Sequence, residues 1–252
     1  MHEITKTQTI FLLIKQTMKP ILSLTLSFLI LAFITNLSSN NAAEPVLDIN
    51  GISLIPGNQY YIFPATDANP KSGGLRLNKV DEQECPVTVI QNDAITGLPV
   101  TFTLPEDSSA SEILTNTSVD VEFIKTPNCA QNDYGGKWNI FYRATWSPIQ
   151  KNNNKFIVNY YVGIGGPNNY LNRIDGTLSI HEYGSPYIYK FVFCDDTDYC
   201  EGIGRTEFNS TEGGSRLLLT ESDPYYQVVF VDAALLKSGK LMSVAGNLKM
   251  IL

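Results

Sequence analysis

The chain has 252 residues, of which 43% are hydrophobic and 17% are charged, and its formal net charge at pH 7 is −7. This length is sufficient for a buried core and suits one large domain or two small ones. An acidic chain has no electrostatic attraction for nucleic acid or for an anionic membrane surface, so neither is expected as a partner.

The first 43 residues differ in composition from the rest of the chain. A basic start precedes an apolar run over 21–34, which is typical of a secretory signal peptide and is short of the roughly 20 residues that a membrane anchor needs. We therefore predict a signal region over 1–43, with an alternative translation start at Met18. Secretion to the extracellular space or the vacuole follows as an expectation. The lysines of the basic start are Lys6, Lys15 and Lys19.

The remainder of the chain is strongly acidic. Three of the 18 basic residues and one of the 25 acidic residues lie in the signal region, so 15 basic and 24 acidic residues remain, a net charge of −9. A membrane-bound mature form is therefore not expected.

Short β-rich runs separated by turn signals make up the rest of the chain. This pattern predicts an all-β sandwich or barrel, with no helix above ten residues outside the signal region. No linker interrupts it, so we predict one domain over 44–234 and a C-terminal extension of unknown role over 235–252. The clearest runs are QYYIF (59–63), PVTVIQ (86–91), SVDVEFI (118–124), KWNIFYRATW (137–146), KFIVNYYVGI (155–164), GTLSIHEY (176–183), YIYKFVFC (187–194), SRLLLT (215–220) and YQVVFVDA (226–233).

The four cysteines predict two disulfides, because an even count behind a signal peptide is typical of secreted proteins. Four cysteines allow three pairings. Cys194 and Cys200 frame the short segment CDDTDYC, which favours a local bond and leaves Cys85 for Cys129. A zinc site is disfavoured, since there is no C-x-x-C pair and the mature chain has one histidine, His181.

Two N-x-S/T sequons, at Asn116 and Asn209, are candidate glycosylation sites and are expected on the surface. A third, at Asn36, lies in the signal region.

No motif indicates an enzyme or a cofactor. There is no G-x-S-x-G elbow, no H-E-x-x-H, no phosphate-binding loop and no calcium-loop spacing. His181 lies in a strand-like run and is interpreted as structural. The acidic segment 195–198 is interpreted as a solvated turn, and no metal site is predicted.

The segment VLDINGISLIPGNQYYI (46–62) resembles the opening signature of the plant Kunitz-type, or soybean trypsin inhibitor-like, proteins. ECPVTVIQ (84–91), GLPVTF (97–102) and the paired YKFVFC and CEGIGR (189–205) continue the resemblance, which is nearest to legume and miraculin-like members. The resemblance extends over 44–234. The matching positions of the opening signature are Val46, Asp48, Gly51, Leu54, Tyr60 and Ile62.

The resemblance implies a β-trefoil of twelve short strands with pseudo-threefold symmetry. It also implies the disulfides Cys85–Cys129 and Cys194–Cys200. In such proteins the loop after the GLPV-type strand enters a protease active site like a substrate, and one residue fills the specificity pocket. Here that inhibitory loop consists of Leu104, Pro105, Glu106, Asp107, Ser108, Ser109 and Ala110.

The composition of this loop argues against trypsin as the target. The specificity position falls near Asp107, and 104–117 contains neither Lys nor Arg. The specificity pocket of trypsin holds a carboxylate, so an acidic residue there would place like charges together. Leu104 or Leu114 would suit a chymotrypsin- or subtilisin-like pocket only with a shifted loop.

A second departure concerns the brace of the loop. The family supports it with an asparagine side chain, and the matching position here is Pro56, with Asn58 as a nearby substitute. Missing support would weaken inhibition, because an ordered loop loses less entropy on binding.

Two functions remain open. The first is a secreted, monomeric inhibitor of an endopeptidase other than trypsin. The alternative is a non-inhibitory storage or ligand-binding protein on the same scaffold, with a surface near Tyr160, Tyr161 and Tyr170.

Overall fold

A computed structural model of the protein describes residues 43–65, 73–80, 84–106, 108–130, 135–149, 153–165 and 172–238. The predicted signal region lies outside these residues except for Ala43. Asp107, Tyr170 and residues 239–252 lie outside them as well.

The described part of the chain is almost entirely β structure, as the alternating runs predict. It contains thirteen strands, a 3-10 turn at Asn128–Ala130 and one short helix, α1, at Ala233–Ser238. The strands are β1 Gln59–Pro64, β2 Leu75–Asn78, β3 Thr88–Gln91, β4 Val100–Thr103, β5 Asp120–Phe123, β6 Trp138–Ile149, β7 Asn153–Ile164, β8 Asn172–Ile174, β9 Gly176–Tyr183, β10 Ser185–Asp195, β11 Cys200–Arg205, β12 Ser215–Thr220 and β13 Val228–Asp232.

The resemblance implies twelve strands, and the additional one arises from a break at Asp175. On one side of this residue β8 pairs with β6, and on the other side β9 pairs with β10. The chain therefore changes partner at this point, and one extended segment is divided into two strands.

The strands pair antiparallel in the order β5-β4-β1-β13-β10-β11-β12-β3-β7-β6-β8. The first strand of this path, β5, contacts the residues directly before β6: Phe123 donates its backbone N–H to the carbonyl of Gly136 at 3.0 Å, and Glu122 forms a bridge with Lys137. This contact closes the sheet between the first strand of the path and the last but one, which leaves few unpaired strand edges.

Aromatic side chains form the centre of the core. Phe230 of β13 packs edge-to-face on Phe102 and on Phe191, at centroid distances of 5.5 and 6.1 Å. Trp138 continues the contact to Phe191 at 5.4 Å. Such pairs add stability beyond the apolar area that they bury. They connect β4, β6, β10 and β13, and so hold the strand that leads into the predicted loop.

The helix α1 covers a second, smaller apolar cluster. Along β1, Tyr60 and Ile62 face the main core, and the alternate residue Phe63 packs with Val229 and Val231. Leu236 of α1 packs against this second cluster. The first residues of the predicted C-terminal extension therefore belong to the folded domain. Within the described ranges, no helix has the length and apolar character to span a bilayer.

Both disulfides have the pairing that the resemblance implies. Cys85 bonds to Cys129 across a sequence separation of 44, with a Cα–Cα distance of 5.9 Å. Cys194 and Cys200 are register partners on β10 and β11, and their bond closes the acidic turn.

Candidate functional site

The predicted loop starts directly after β4. Phe102 is fully buried, and Thr103, the last residue of the strand, pairs with Asp120 of β5. Leu104 is half-buried and packs against the main core. The core and the sheet therefore fix the position at which the chain leaves the strand.

The middle of the loop faces solvent. Pro105, Glu106, Ser108 and Ser109 are exposed, and Ala110 is half-buried. The loop has a local turn, since the Ser108 backbone N–H donates to the Pro105 carbonyl at 2.9 Å. The Ala110 N–H then donates to Oγ of Ser108 at 3.3 Å. These local bonds restrict the exposed segment without covering it.

The end of the loop is held by the N-terminal segment of the domain. Ile113 is fully buried, and its carbonyl accepts a hydrogen bond from the Val46 backbone N–H at 2.8 Å. Thr115 N–H donates to the Glu44 carbonyl at 2.7 Å, and Oγ1 of Thr115 accepts from the Glu44 N–H at 3.0 Å. Hydrogen bonds therefore fix the chain at Ile113 and Thr115, after the exposed residues of the loop.

One short segment, 54–57, bonds to both sides of the loop. The Gly57 N–H donates to the Phe102 carbonyl at 2.9 Å, and the Ile113 N–H donates to the Leu54 carbonyl at 2.8 Å. Sequence analysis missed this support because it is made by backbone groups. The IPGN signal indicated a turn here but could not indicate its partners.

The sequence offers Asn58 as a nearby substitute for the family's asparagine brace. Its amide hydrogen-bonds to the hydroxyl of Tyr60 and to no described residue of the loop, which leaves out Asp107. Burial raises the pKa of the Tyr60 hydroxyl, and the hydrogen bonds from the Ile55 backbone and Asn58 oppose this effect. Among the described residues, main-chain bonds at Phe102 and Ile113 support the two sides of the loop.

Lys137 is a cation near the start of the loop. Its ammonium donates at 2.7 Å to Asp120, the register partner of Thr103. This hydrogen bond raises the pKa of Lys137, and the negative charge of Glu106 acts in the same direction. Lys137 therefore lies beside the loop, but its ammonium is bonded to Asp120 of β5.

The loop and its supports can be compared with known proteins. A family model described as trypsin and protease inhibitor, of the legume Kunitz type, matches residues 46–232. The chain belongs to the legume Kunitz family.

Relatives and solved structures extend this finding. A Kunitz-type trypsin inhibitor-like 2 protein of Pisum sativum is 42% identical over 224 residues, covering 86% of this chain and 94% of the relative. Subtilisin inhibitor CLSI-II of Canavalia lineata is 41% identical over 200 residues, covering 77% and 95%. The crystal structure of a Kunitz type trypsin inhibitor from Cicer arietinum is 43% identical, covers 75% of this chain and 99% of its own, and has a TM-score of 0.61.

Membership of the Kunitz family assigns the β-trefoil fold. This family is one of protease inhibitors, which are not themselves enzymes. Ser179 and His181 do approach within 2.9 Å, but both lie on β9, and Ser179 also donates to the Val192 carbonyl. This pair is part of the packing between β9 and β10.

Tyr160 and Tyr161 of the alternative hypothesis lie on different faces of β7, and Tyr170 lies outside the described residues. Tyr160 and Tyr161 are neighbours on β7, so their side chains point to opposite faces of the sheet. Tyr160 packs against the main core, while the ring of Tyr161 lies 5.1 Å from the guanidinium of Arg216. The predicted ligand surface is therefore not supported at these two residues.

Both candidate glycosylation sites are exposed. Asn116 has a positive φ of 58°, and its backbone N–H donates to the Ile180 carbonyl at 2.8 Å. The side-chain amide of Asn209 donates to Glu212 at 3.0 Å. Glycosylation at either residue stays a prediction.

Proposed function

We propose that this Kunitz-family protein inhibits a serine endopeptidase other than trypsin, by presenting residues 104–110 to the enzyme as a substrate-like loop. The observation that carries the proposal is the support of both sides of this loop by the segment 54–57, through Phe102 and Ile113. A loop that is ordered before binding loses little conformational entropy in the complex.

The loop composition argues against trypsin as the target. Its exposed residues are proline, glutamate and serines, and the nearest basic residue after the loop is Lys125. An acidic residue would be repelled by the carboxylate of the trypsin pocket, and its loss of hydration there would not be compensated. A small residue offers that carboxylate no positive charge. The relative from Canavalia lineata is named a subtilisin inhibitor, and we propose a subtilisin-like enzyme as the first target to test.

The predicted signal region and the two disulfides support secretion of the protein. We further propose that it acts as a monomer, because one copy of the chain contains the whole loop and its supports.

The experiment is a titration of the purified mature protein against subtilisin, chymotrypsin and trypsin, with cleavage of the protein followed by mass spectrometry. We expect stoichiometric inhibition of subtilisin, slow cleavage within 104–110, and no inhibition of trypsin. A variant with 106–111 replaced by glycine and serine should unfold at the same temperature and lose inhibition.

Two outcomes would contradict the proposal. Inhibition that survives replacement of 106–111 would place the contact elsewhere on the trefoil. Fast cleavage between Pro105 and Ser111 without inhibition of any enzyme would support the non-inhibitory alternative.

A further inference from the structure

We propose that the segment 54–58, which contains the turn IPGN, positions the inhibitory loop from both sides, and that Gly57 and Tyr60 are its positioning residues. The inference rests on the proposed function for its effect on inhibition. Its effect on the order of the loop is independent of any protease.

The segment 54–58 reaches the two sides of the loop through bonds at two of its residues, Leu54 and Gly57. Gly57 holds Phe102, two residues before Leu104, at an N–O distance of 2.9 Å, and Leu54 holds Ile113 at 2.8 Å. Because one short segment makes both bonds, it fixes the separation of the loop ends. Fixing the ends restricts the conformations of the residues between them.

The turn itself is rigid for reasons visible in the sequence IPGN. The Asn58 N–H donates to the Ile55 carbonyl at 3.2 Å, and Gly57 has a φ of +82°. Proline followed by a glycine of positive φ is the preferred pair for a type II turn. Pro56 stands at the position of the family's bracing asparagine. It favours the turn that places the Gly57 N–H against the loop.

Tyr60 connects the turn to the start of the loop. Its hydroxyl accepts the Ile55 backbone N–H at 2.9 Å, and its ring packs on Phe102 at a centroid distance of 5.9 Å. Tyr60 is only 3% exposed, so solvent does not compete for the Ile55 N–H. The same side chain therefore contacts the turn and the residue that the turn holds.

Two glycines provide a matched test. Gly57 and Gly184 have φ values of +82° and +77°, and in each case an added Cβ would have no atom within 4 Å. Gly57→Ala and Gly184→Ala therefore introduce backbone strain of the same kind without a steric clash. Gly184 lies between β9 and β10, outside the turn and the loop.

The readouts are hydrogen exchange of peptides covering 104–112, and the rate at which thermolysin cuts this segment. We expect similar falls in the melting temperature of both variants, and about tenfold faster exchange and cleavage in the loop for Gly57→Ala alone, equivalent to about 1.4 kcal/mol. Gly57→Asn should recover part of the loss, since asparagine tolerates a positive φ. Equal loop exchange in the two alanine variants would overturn the inference.

Tyr60→Phe is a second test, usable even when Gly57→Ala does not fold. The buried Tyr60 hydroxyl accepts the Ile55 backbone N–H at 2.9 Å, and Gly184→Ala, which lies outside the turn and the loop, is again the control. Tyr60→Phe should accelerate loop exchange; no increase over Gly184→Ala would overturn the role of Tyr60. Faster exchange in Tyr60→Phe, with no protease inhibited by the wild type, would uphold the inference and reject the proposed function.

Discussion

His181 and Lys190 are directly opposite each other on β9 and β10, in the register of the hairpin. Burial lowers the pKa of His181 from its ordinary value of 6.5, and the positive charge of Lys190 lowers it further. The folded protein therefore disfavours the charged form of this histidine. Nε2 of the ring also lies 2.9 Å from Oγ of Ser179.

This arrangement predicts a loss of stability in acid. Below pH 6.5 the unfolded chain binds a proton at His181 more readily than the folded chain does, so stability is complete above this pH and falls as the pH decreases. Urea unfolding should show a smaller loss of unfolding free energy between pH 8 and pH 5 for His181→Gln than for the wild type. Lys190→Met should also reduce this loss, because it removes the repelling charge. Parallel pH profiles for all three proteins would contradict the prediction.

A single substitution in the loop should create trypsin inhibition. Asp107 is the specificity residue that the sequence predicts, and Asp107→Arg would supply the guanidinium that pairs with the carboxylate of the trypsin pocket. We expect an inhibition constant at least about a hundredfold lower than for the wild type, from replacement of a repulsive by an attractive charge. Glu106→Arg and Ser108→Arg test the neighbouring positions.

The control for this series is Asp196→Arg, which makes the same charge change at an exposed position in the acidic turn. The prediction is wrong when this control gains as much trypsin inhibition as the loop variants, or when none of the three loop variants gains any.

The two disulfides should differ in their contribution to stability. In the chain-entropy model the stabilisation grows with the closed loop, and the sequence separations are 44 for Cys85–Cys129 and 6 for Cys194–Cys200. Replacing both cysteines by serine should cost about 4 kcal/mol for the first bond and about 2 kcal/mol for the second. Denaturant unfolding of the two double variants measures the difference, and a larger loss for the short loop would contradict the model.

Two ion pairs in different environments should also differ. Nε of Arg216 lies 2.7 Å from Oε2 of Glu212, and the two side chains are 11% and 12% exposed. Glu212→Ala removes a buried carboxylate from this pair and should cost about 3 kcal/mol of unfolding free energy. The exposed pair of Lys137 and Asp120 is the comparison, and Asp120→Ala should cost about 0.5 kcal/mol. Equal losses would show that burial does not set the strength of these pairs.

The sequence by itself determined the fold class and the place of the loop. Strand-like alternation and turn signals predict the β structure, and the order of the Kunitz-type segments predicts the trefoil and both disulfides. These features are visible because each depends on side chains at particular positions, such as the alternating Tyr60 and Ile62 or the framing pair Cys194 and Cys200. The absence of Lys and Arg from 104–117 is likewise a property of the sequence.

Only the tertiary structure decided how the loop is supported. Pro56 in place of the family's asparagine suggested a loop without a brace, yet Gly57 and Leu54 hold both of its sides through backbone groups. Every residue except proline carries the same N–H and C=O, so these bonds have no signature in the sequence. Their partners Phe102 and Ile113 are more than 40 positions away along the chain, and only the closed sheet brings them to the turn.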